Sequence, residues 1–441
     1  MKDKIMDRLL NISTKIQNQK YMTAIKNGFT IMLPLIIIGS FCTLFTNIIC
    51  STKEGAFSLA NIQGMAWLAK FEPIFSATNY ATMNLLALYA VIFIAYELAK
   101  HYQLKDKITC AAVAFAAYIT LCATIVSVTI EGSTEPVEVA NVLSSTYTGV
   151  QGLFLAMIVA VIATELYRIT SKVEKFKIHM PDSVPSNIAA AFNALIPGLI
   201  VIFSISAFGC IFDIMIGMTL FEAINLVIQK PLQGLLTGLP GYLFIFFMTT
   251  VLWFFGIHGT QVLKPIYQAA LIAAVAENAE AIANGGQATN ILNDAFRASF
   301  TTITGAGVTG GLIIAIFIFS KRDDWKAIAK LGIPCAIFNI NEPIIFGLPI
   351  VLNPILGIPF VLAPICTATF GYFMTKIGFA SVMTVISPWT TPAGIQAVLN
   401  SAGHLGTAIT QLLAIGISFL VYSPFVIAAN KMKDNKNGGE N

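Results

Sequence analysis

Residues 188–218 form a predominantly apolar run, IAAAFNALIPGLIVIFSISAFGCIFDIMIGM, whose single charged side chain belongs to Asp213. A helix that crosses a bilayer needs about 20 mostly apolar residues, so this run is long enough to span one. Comparable runs lie near 29–50, 82–99, 108–130, 147–167, 240–260, 300–320, 354–375 and 405–429. The pattern predicts an all-α polytopic membrane protein.

The composition points the same way. Charged residues make up only 11% of the 441 residues, against about 25% in soluble proteins, and the mean hydropathy is +0.77. The net charge of +4 is spread over short clusters between the apolar runs, which argues against a nucleic-acid partner. The seven cysteines lack metal-ligand spacing and there is no P-loop motif, so we expect no metal and no cofactor.

The charges of the short loops indicate the orientation of the spans. The segment 1–28 has apolar residues on one helical face and lysines on the other, which predicts a cytoplasmic amphipathic arm on the membrane surface. The basic loops 100–107 and 168–177 should also be cytoplasmic, and the acidic loop 131–146 should be external.

In the second half of the chain, the basic loops fall on the cytoplasmic side only if 262–278 also crosses the membrane. The basic loop 321–330 then returns to the cytoplasm, as does the tail 431–441. The prediction is therefore about ten spans, with both termini cytoplasmic. Residues 219–239 are expected to form an interfacial helix followed by a turn.

Two further apolar segments, near 332–353 and 379–400, are interrupted by prolines and glycines. Proline ends helices, and irregular backbone at membrane depth is tolerated where it lines an enclosed or wet cavity. These segments are predicted to be re-entrant hairpins, which mark binding sites in transporters. The alternative is that they are interfacial loops with proline-kinked edges.

The first broken segment carries the strongest candidate for a site residue. Glu342 lies between apolar residues, with Asn339 and Asn341 beside it and no cationic residue nearby in the sequence. A buried carboxylate of purely structural purpose would need a cationic partner. The acid and the two amides predict a hydrogen-bonding rim suited to the hydroxyl groups of a sugar.

His258 and two tryptophans extend this candidate site. His258 follows a long apolar run between two glycines, where it is either a packing residue or a group that faces a cavity. Trp253 precedes it, and Trp389 lies in the second broken segment. Aromatic rings stack on the apolar faces of sugars, although tryptophans of the interface belt are the ordinary alternative.

Three stretches together resemble a known family. FNINEPIIFGLPIVLNP (338–354), FFGIHGTQ (254–261) and MPDSVPSNIAAAF (180–192) are similar to the lactose/cellobiose/diacetylchitobiose family of bacterial phosphotransferase-system permeases, specifically the IIC component. The resemblance covers essentially the whole chain. It implies a homodimer in the bacterial cell membrane, with a dimerisation half at 29–239 and a transport half at 240–430.

The resemblance also implies roles for individual residues. His258 and Glu342 would bind the hydroxyl group to be phosphorylated, with Glu342 as the general base. The further sugar contacts would be Tyr89, Asn187, Trp253, Asn341 and Trp389.

The implied activity is group translocation. A β-linked disaccharide would be carried inward, and its 6-hydroxyl would be phosphorylated by a phosphocysteine on a separate IIB protein, which a IIA protein supplies. The alternative from the residues alone is a proton-coupled secondary sugar transporter, in which Glu342 would carry a proton. The energy source distinguishes the two.

Overall fold

The computed structural model describes residues 19–52, 58–128, 137–178, 185–348 and 350–437. The predicted amphipathic arm as far as residue 18, the first part of the 131–146 loop (131–136) and residues 438–441 of the tail lie outside these ranges.

The chain is helical almost throughout the described ranges. The first α-helices are α1 (Lys20–Phe45), α2 (Glu72–Thr82), α3 (Leu86–His101), α4 (Lys107–Ile119), α5 (Ser145–Thr148), α6 (Leu153–Thr170), α7 (Ser186–Ile216), α8 (Leu220–Ile224) and α9 (Lys230–Thr237). The later ones are α10 (Leu239–Phe254), α11 (Gly259–Ala283), α12 (Asp294–Phe296), α13 (Gly310–Phe319), α14 (Asp323–Ile337), α15 (Glu342–Gly347), α16 (Pro354–Lys376), α17 (Ile395–Asn400) and α18 (Leu405–Asn437). Strands β1 (Ile125–Val128) and β2 (Val137–Ala140) pair antiparallel.

The predicted fold class is confirmed, because the described residues contain several helices of membrane length. Six are long and apolar enough to cross a bilayer, or seven if the pair Leu220–Thr237 and Leu239–Phe254, bent by 77°, counts as one span. The helix and turn expected at 219–239 correspond to α8, α9 and this bend. The count of ten spans stays a prediction.

Two predicted spans differ from the observed helices. The run near 108–130 is helical only to Ile119, and β1 follows, because the β-branched residues of TIVSV (124–128) favour extended backbone. The run near 300–320 becomes α-helical only at Gly310. A loop precedes it, in which Gly305 and Gly307 adopt left-handed backbone that no helix can contain.

By their internal contacts the described residues fall into two compact units. The N-terminal unit comprises the described residues of 19–39 and 77–232. Its core is the packing of α3, α4 and α6, in which the small residues Ala87, Ala90 and Ala160 are fully buried. Glu165 on α6 accepts hydrogen bonds from Lys20 Nζ (3.1 Å) and Arg168 Nε (2.9 Å), which secures the start of α1.

The C-terminal unit comprises the described residues of 40–76 and those from 233 onward. Helix α18 packs along α13 and α16, and α10 packs along α16. One apolar core joins these helices to α14 and α15 through Trp253, Leu312, Ile344, Phe360 and Tyr422. The candidate residues from His258 to Trp389 all lie in this unit. The assignment of dimerisation to one half and transport to the other stays a prediction.

Candidate functional site

A break between two helices positions His258. Helix α10 ends at Phe254, Gly256 adopts a left-handed φ of 80°, and His258 is the N-cap residue of α11. Its Nδ1 atom accepts a hydrogen bond of 3.3 Å from the backbone N–H of Gln261. Because Nδ1 is the acceptor, a neutral imidazole carries its hydrogen on Nε2. This arrangement makes Nε2 a hydrogen-bond donor.

Trp253 connects His258 to the glutamate-bearing segment. Its indole is only 4% exposed and donates from Nε1 to Thr260 Oγ1 at 3.1 Å. The ring lies 4.2 Å from the His258 ring between centroids, and 6.5 Å from Phe346 on α15. The structure thus brings His258 and the helix that begins with Glu342 against one aromatic side chain.

The first broken segment is a helical hairpin that exposes Glu342. Helix α14 runs to Ile337, the chain turns through Asn339 with a left-handed φ of 62°, and α15 begins at Glu342. Pro343 at the second position of α15 costs no hydrogen bond there, because the first N–H groups of a helix have no partner within it. Glu342 is solvent-exposed, whereas Ile344 and Ile345 are buried. The carboxylate is therefore accessible on a turn that the core secures.

The two asparagines beside Glu342 are buried and bonded to protein groups. Asn339 accepts from the backbone N–H of Thr304 (2.7 Å) and donates from Nδ2 to the carbonyl oxygens of Trp389 (2.8 Å) and Thr391 (2.9 Å). Asn341 donates from Nδ2 to the Ala306 carbonyl (2.5 Å) and to Thr309 Oγ1 (2.9 Å). Both amides hold the turn that carries Glu342, and their contacts with a sugar stay a prediction.

The second broken segment is irregular backbone followed by a short helix. Residues 380–387 are mostly buried without regular structure, and amide side chains satisfy their backbone. Asn278 and Asn293 both donate to the Met383 carbonyl (3.1 and 3.0 Å), and Asn400 accepts from the backbone N–H of Ser387 (2.9 Å). Trp389 follows with 57% of its surface exposed, and Asn339 holds its carbonyl.

The comparisons with known proteins agree with this architecture. The profile of the phosphotransferase system EIIC family matches residues 26–364. The chain belongs to this family. The earlier resemblance is confirmed, and the protein is a multi-pass membrane sugar permease of the cellobiose, lichenan and chitobiose type.

Individual relatives match this EIIC chain over almost its full length. The lichenan permease IIC component of Bacillus subtilis is 32% identical over 97% of this chain and 93% of its own. The cellobiose-specific EIIC component of Geobacillus stearothermophilus is 31% identical, over 97% and 94%. The crystal structure of ChbC, the IIC component of an N,N'-diacetylchitobiose-specific phosphotransferase system, superposes with a TM-score of 0.88 at 30% identity. That superposition covers 98% of both chains.

Two of the predicted sugar contacts of this EIIC chain lie in the N-terminal unit. Tyr89 is half-buried, donates from its hydroxyl to the Ala81 carbonyl (2.9 Å) and stacks on Phe93. Asn187 lies in the first turn of α7, and its side chain is outside the described part of the chain. Their roles stay predictions.

An ion pair in the C-terminal unit of this EIIC chain was not predicted from the sequence. Arg297 bonds Asp294 through Nε (2.7 Å) and Nη2 (3.3 Å), and donates from Nη1 to Thr302 Oγ1 (3.2 Å). The side chains are only 16% and 13% exposed. An acid and a base three residues apart, directly before a predicted span, would have been the signal.

The amides that support the second broken segment were also missed. Asn278, Asn293, Asn400 and Gln411 are almost completely buried. Each lies within or beside an apolar run, and buried amides at such positions mark polar backbone that needs partners. Within the described ranges, no group of three or more histidine, cysteine, aspartate or glutamate side chains could hold a metal ion.

Proposed function

We propose that this EIIC chain binds a β-linked disaccharide of the cellobiose or diacetylchitobiose type, carries it inward and presents its 6-hydroxyl to a phosphorylated IIB protein. The observation that supports it best is the junction at Trp253, which contacts both His258 and the helix that starts with Glu342. A carboxylate acceptor and an imidazole donor are suited to a sugar hydroxyl, and the Trp253 ring packs against His258 and against Phe346 of the helix that starts with Glu342.

In the proposed reaction, the 6-hydroxyl oxygen forms a bond to phosphorus while the S–P bond of a phosphocysteine on IIB breaks. The hydroxyl proton goes to the Glu342 carboxylate, and the cysteine leaves as a thiolate. His258 donates from Nε2 to the sugar oxygen and orients it. Phosphoryl transfer depends mainly on such in-line positioning, so the chain contributes alignment and one proton acceptor.

We propose that IIB is a separate protein, supplied by IIA. We further propose a homodimer in the bacterial cell membrane, with both termini cytoplasmic. Helix α7 exposes Leu199, Phe203 and Ile214, and this apolar face fits lipid and a second copy.

The direct test uses permeabilised membranes that contain this chain. Purified IIA, IIB and the general phosphotransferase proteins are added with phosphoenolpyruvate and labelled cellobiose or diacetylchitobiose. We expect the sugar 6-phosphate to form only when IIB and the chain are both present. Failure with every β-disaccharide, together with uptake of unmodified sugar driven by a proton gradient, would show a secondary transporter instead.

The role of His258 can be separated from its capping function. His258→Asn keeps an oxygen that caps α11 but removes the Nε2 donor, so we expect near-normal stability and a loss of roughly a hundredfold in phosphorylation rate. His258→Ala should lose the same activity and also about 1 kcal/mol of stability. Phosphorylation and thermal unfolding of the purified variants measure the two effects. Full activity in His258→Asn would limit the histidine to a structural role.

Trp389 should act in binding rather than in folding. Because more than half of its surface is exposed, Trp389→Ala should leave unfolding nearly unchanged. It should weaken disaccharide binding roughly tenfold through the loss of ring stacking. Isothermal titration with the unphosphorylated sugar measures this effect. Trp67→Ala is the matched control, since Trp67 is 55% exposed and lies outside the candidate site. Equal affinities for the two variants would contradict the binding role.

A further inference from the structure

The loop Thr302–Val308, with the sequence TITGAGV, has an unusual backbone. Thr304 and Val308 adopt left-handed φ values of 58° and 50°, and Gly305 and Gly307 adopt 96° and 75°. Left-handed backbone is unfavourable for β-branched residues such as threonine and valine. Such strain persists only where the surrounding structure imposes it, and it clusters at functional sites.

Bonds from three directions impose this conformation. Tyr422 Oη donates to the Gly307 carbonyl (2.7 Å) and Ser418 Oγ to the Val308 carbonyl (2.6 Å), both from α18. Within the loop, Thr304 Oγ1 accepts from the backbone N–H of Gly310 (2.8 Å). Ile303, Val308 and Thr309 are fully buried. The loop is therefore held from α18 and from within.

The third direction is the turn that carries Glu342. Asn339 accepts from the Thr304 N–H, and Asn341 donates to the Ala306 carbonyl and to Thr309 Oγ1. A Cβ atom at Gly305 would overlap the Asn341 side chain. The loop thus holds both asparagines that precede Glu342, Asn339 and Asn341. Asn341 is the residue directly before Glu342.

We propose that the strained loop Thr302–Val308 positions Glu342. The loop acts on Glu342 through its hydrogen bonds with Asn339 and Asn341. The loop aligns the carboxylate with the sugar hydroxyl, so its distortion slows phosphoryl transfer more than it weakens sugar binding. The inference rests on the proposed function of the chain as a phosphotransferase permease. Misplacement of a reacting group by about 1 Å can cost roughly a hundredfold in rate.

The sharpest variant is Gly305→Ala, whose new methyl group displaces Asn341. We expect the rate of sugar 6-phosphate formation to fall about a hundredfold, with the dissociation constant for the unphosphorylated disaccharide nearly unchanged. Gly378→Ala is the matched control, because Gly378 also has a left-handed φ of 82° but has open space at its Cβ. The control should keep the rate of the unchanged chain.

A second variant covers the case in which Gly305→Ala does not fold. Thr309→Val keeps the shape of a fully buried side chain but removes the hydroxyl that accepts from Asn341 and donates to the Thr304 carbonyl of the loop. We expect roughly a tenfold loss of rate at unchanged sugar affinity. Thr367→Val is its control, since Thr367 is equally buried and its hydroxyl bonds only the Pro364 carbonyl within α16.

The outcomes separate this inference from the function on which it rests. If the unchanged chain makes no phosphosugar, the proposed function fails. If it does, and Thr309→Val phosphorylates at the rate of Thr367→Val, the positioning inference is overturned. A parallel loss of sugar affinity and rate in both test variants would also overturn it, because it would show general damage to the site.

Discussion

Glu342→Gln should abolish phosphosugar formation while leaving sugar binding almost intact. Glutamine has the size of glutamate and retains a carbonyl oxygen that accepts a hydrogen bond, but it cannot take the hydroxyl proton. General-base catalysis contributes about 10²- to 10⁴-fold, so we expect a fall of roughly a thousandfold in the single-turnover rate. Glu342 is exposed at the start of α15, so the change should not disturb folding.

The experiment compares two quantities for each variant. Rapid mixing with phosphorylated IIB gives the rate of transfer, and equilibrium binding of the disaccharide without IIB gives its affinity. Glu280→Gln is the matched control, because Glu280 is an exposed carboxylate of the same unit and lies near the end of α11. A normal transfer rate in Glu342→Gln would rule out the general-base role. Loss of proton-driven sugar uptake, with no phosphosugar from any variant, would instead assign Glu342 to proton coupling.

Arg297→Met should cause the largest loss of stability. The change leaves the Asp294 carboxylate largely buried without its cation, and breaking such a pair costs about 3 kcal/mol or more. The double variant Arg297→Met/Asp294→Asn should recover much of the loss, since no buried charge is then left unpaired. Thermal unfolding in detergent, with size-exclusion chromatography to exclude aggregates, measures both.

An exposed pair with the same spacing is the control for this comparison. Lys177 and Glu174 are also three residues apart, with side chains 41% and 67% exposed. Lys177→Met should therefore change the free energy of unfolding by less than about 1 kcal/mol. If Arg297→Met is no more damaging than Lys177→Met, the Asp294–Arg297 pair does not stabilise the fold.

The sequence alone singles out Glu342 and His258 as candidate site residues, but it does not reveal the hydrogen bonds that their neighbours make. Glu342 and His258 were identifiable because an ionisable group within an apolar segment is costly. The sequence predicts a sugar-facing rim for Asn339 and Asn341, and this stays a prediction; the structure adds that their Nδ2 atoms bind a loop and the second broken segment. Their hydrogen-bond partners lie more than thirty residues away in the chain, and the spacing of residues in the sequence does not predict such contacts.

The tryptophans show the same limit. The sequence supports Trp253 and Trp389 equally well as candidate sugar contacts, because both are aromatic residues beside polar ones. In the structure Trp253 is buried as a support for His258, and Trp389 is mostly exposed. Burial depends on what packs against a side chain, and here that includes Phe346 from another segment.

The sequence by itself determined that this chain is a helical membrane protein, since apolar runs of membrane length can satisfy their backbone only as helices. It also determined the family, because the motifs around His258 and Glu342 are local. Only the tertiary structure decided that 40–76 groups with the C-terminal unit, and that Thr304 and Val308 hold a left-handed backbone. The intrinsic backbone preferences of threonine and valine disfavour a left-handed conformation. Hydrogen bonds from α18 and from the Glu342 turn, contributed by distant parts of the chain, impose it.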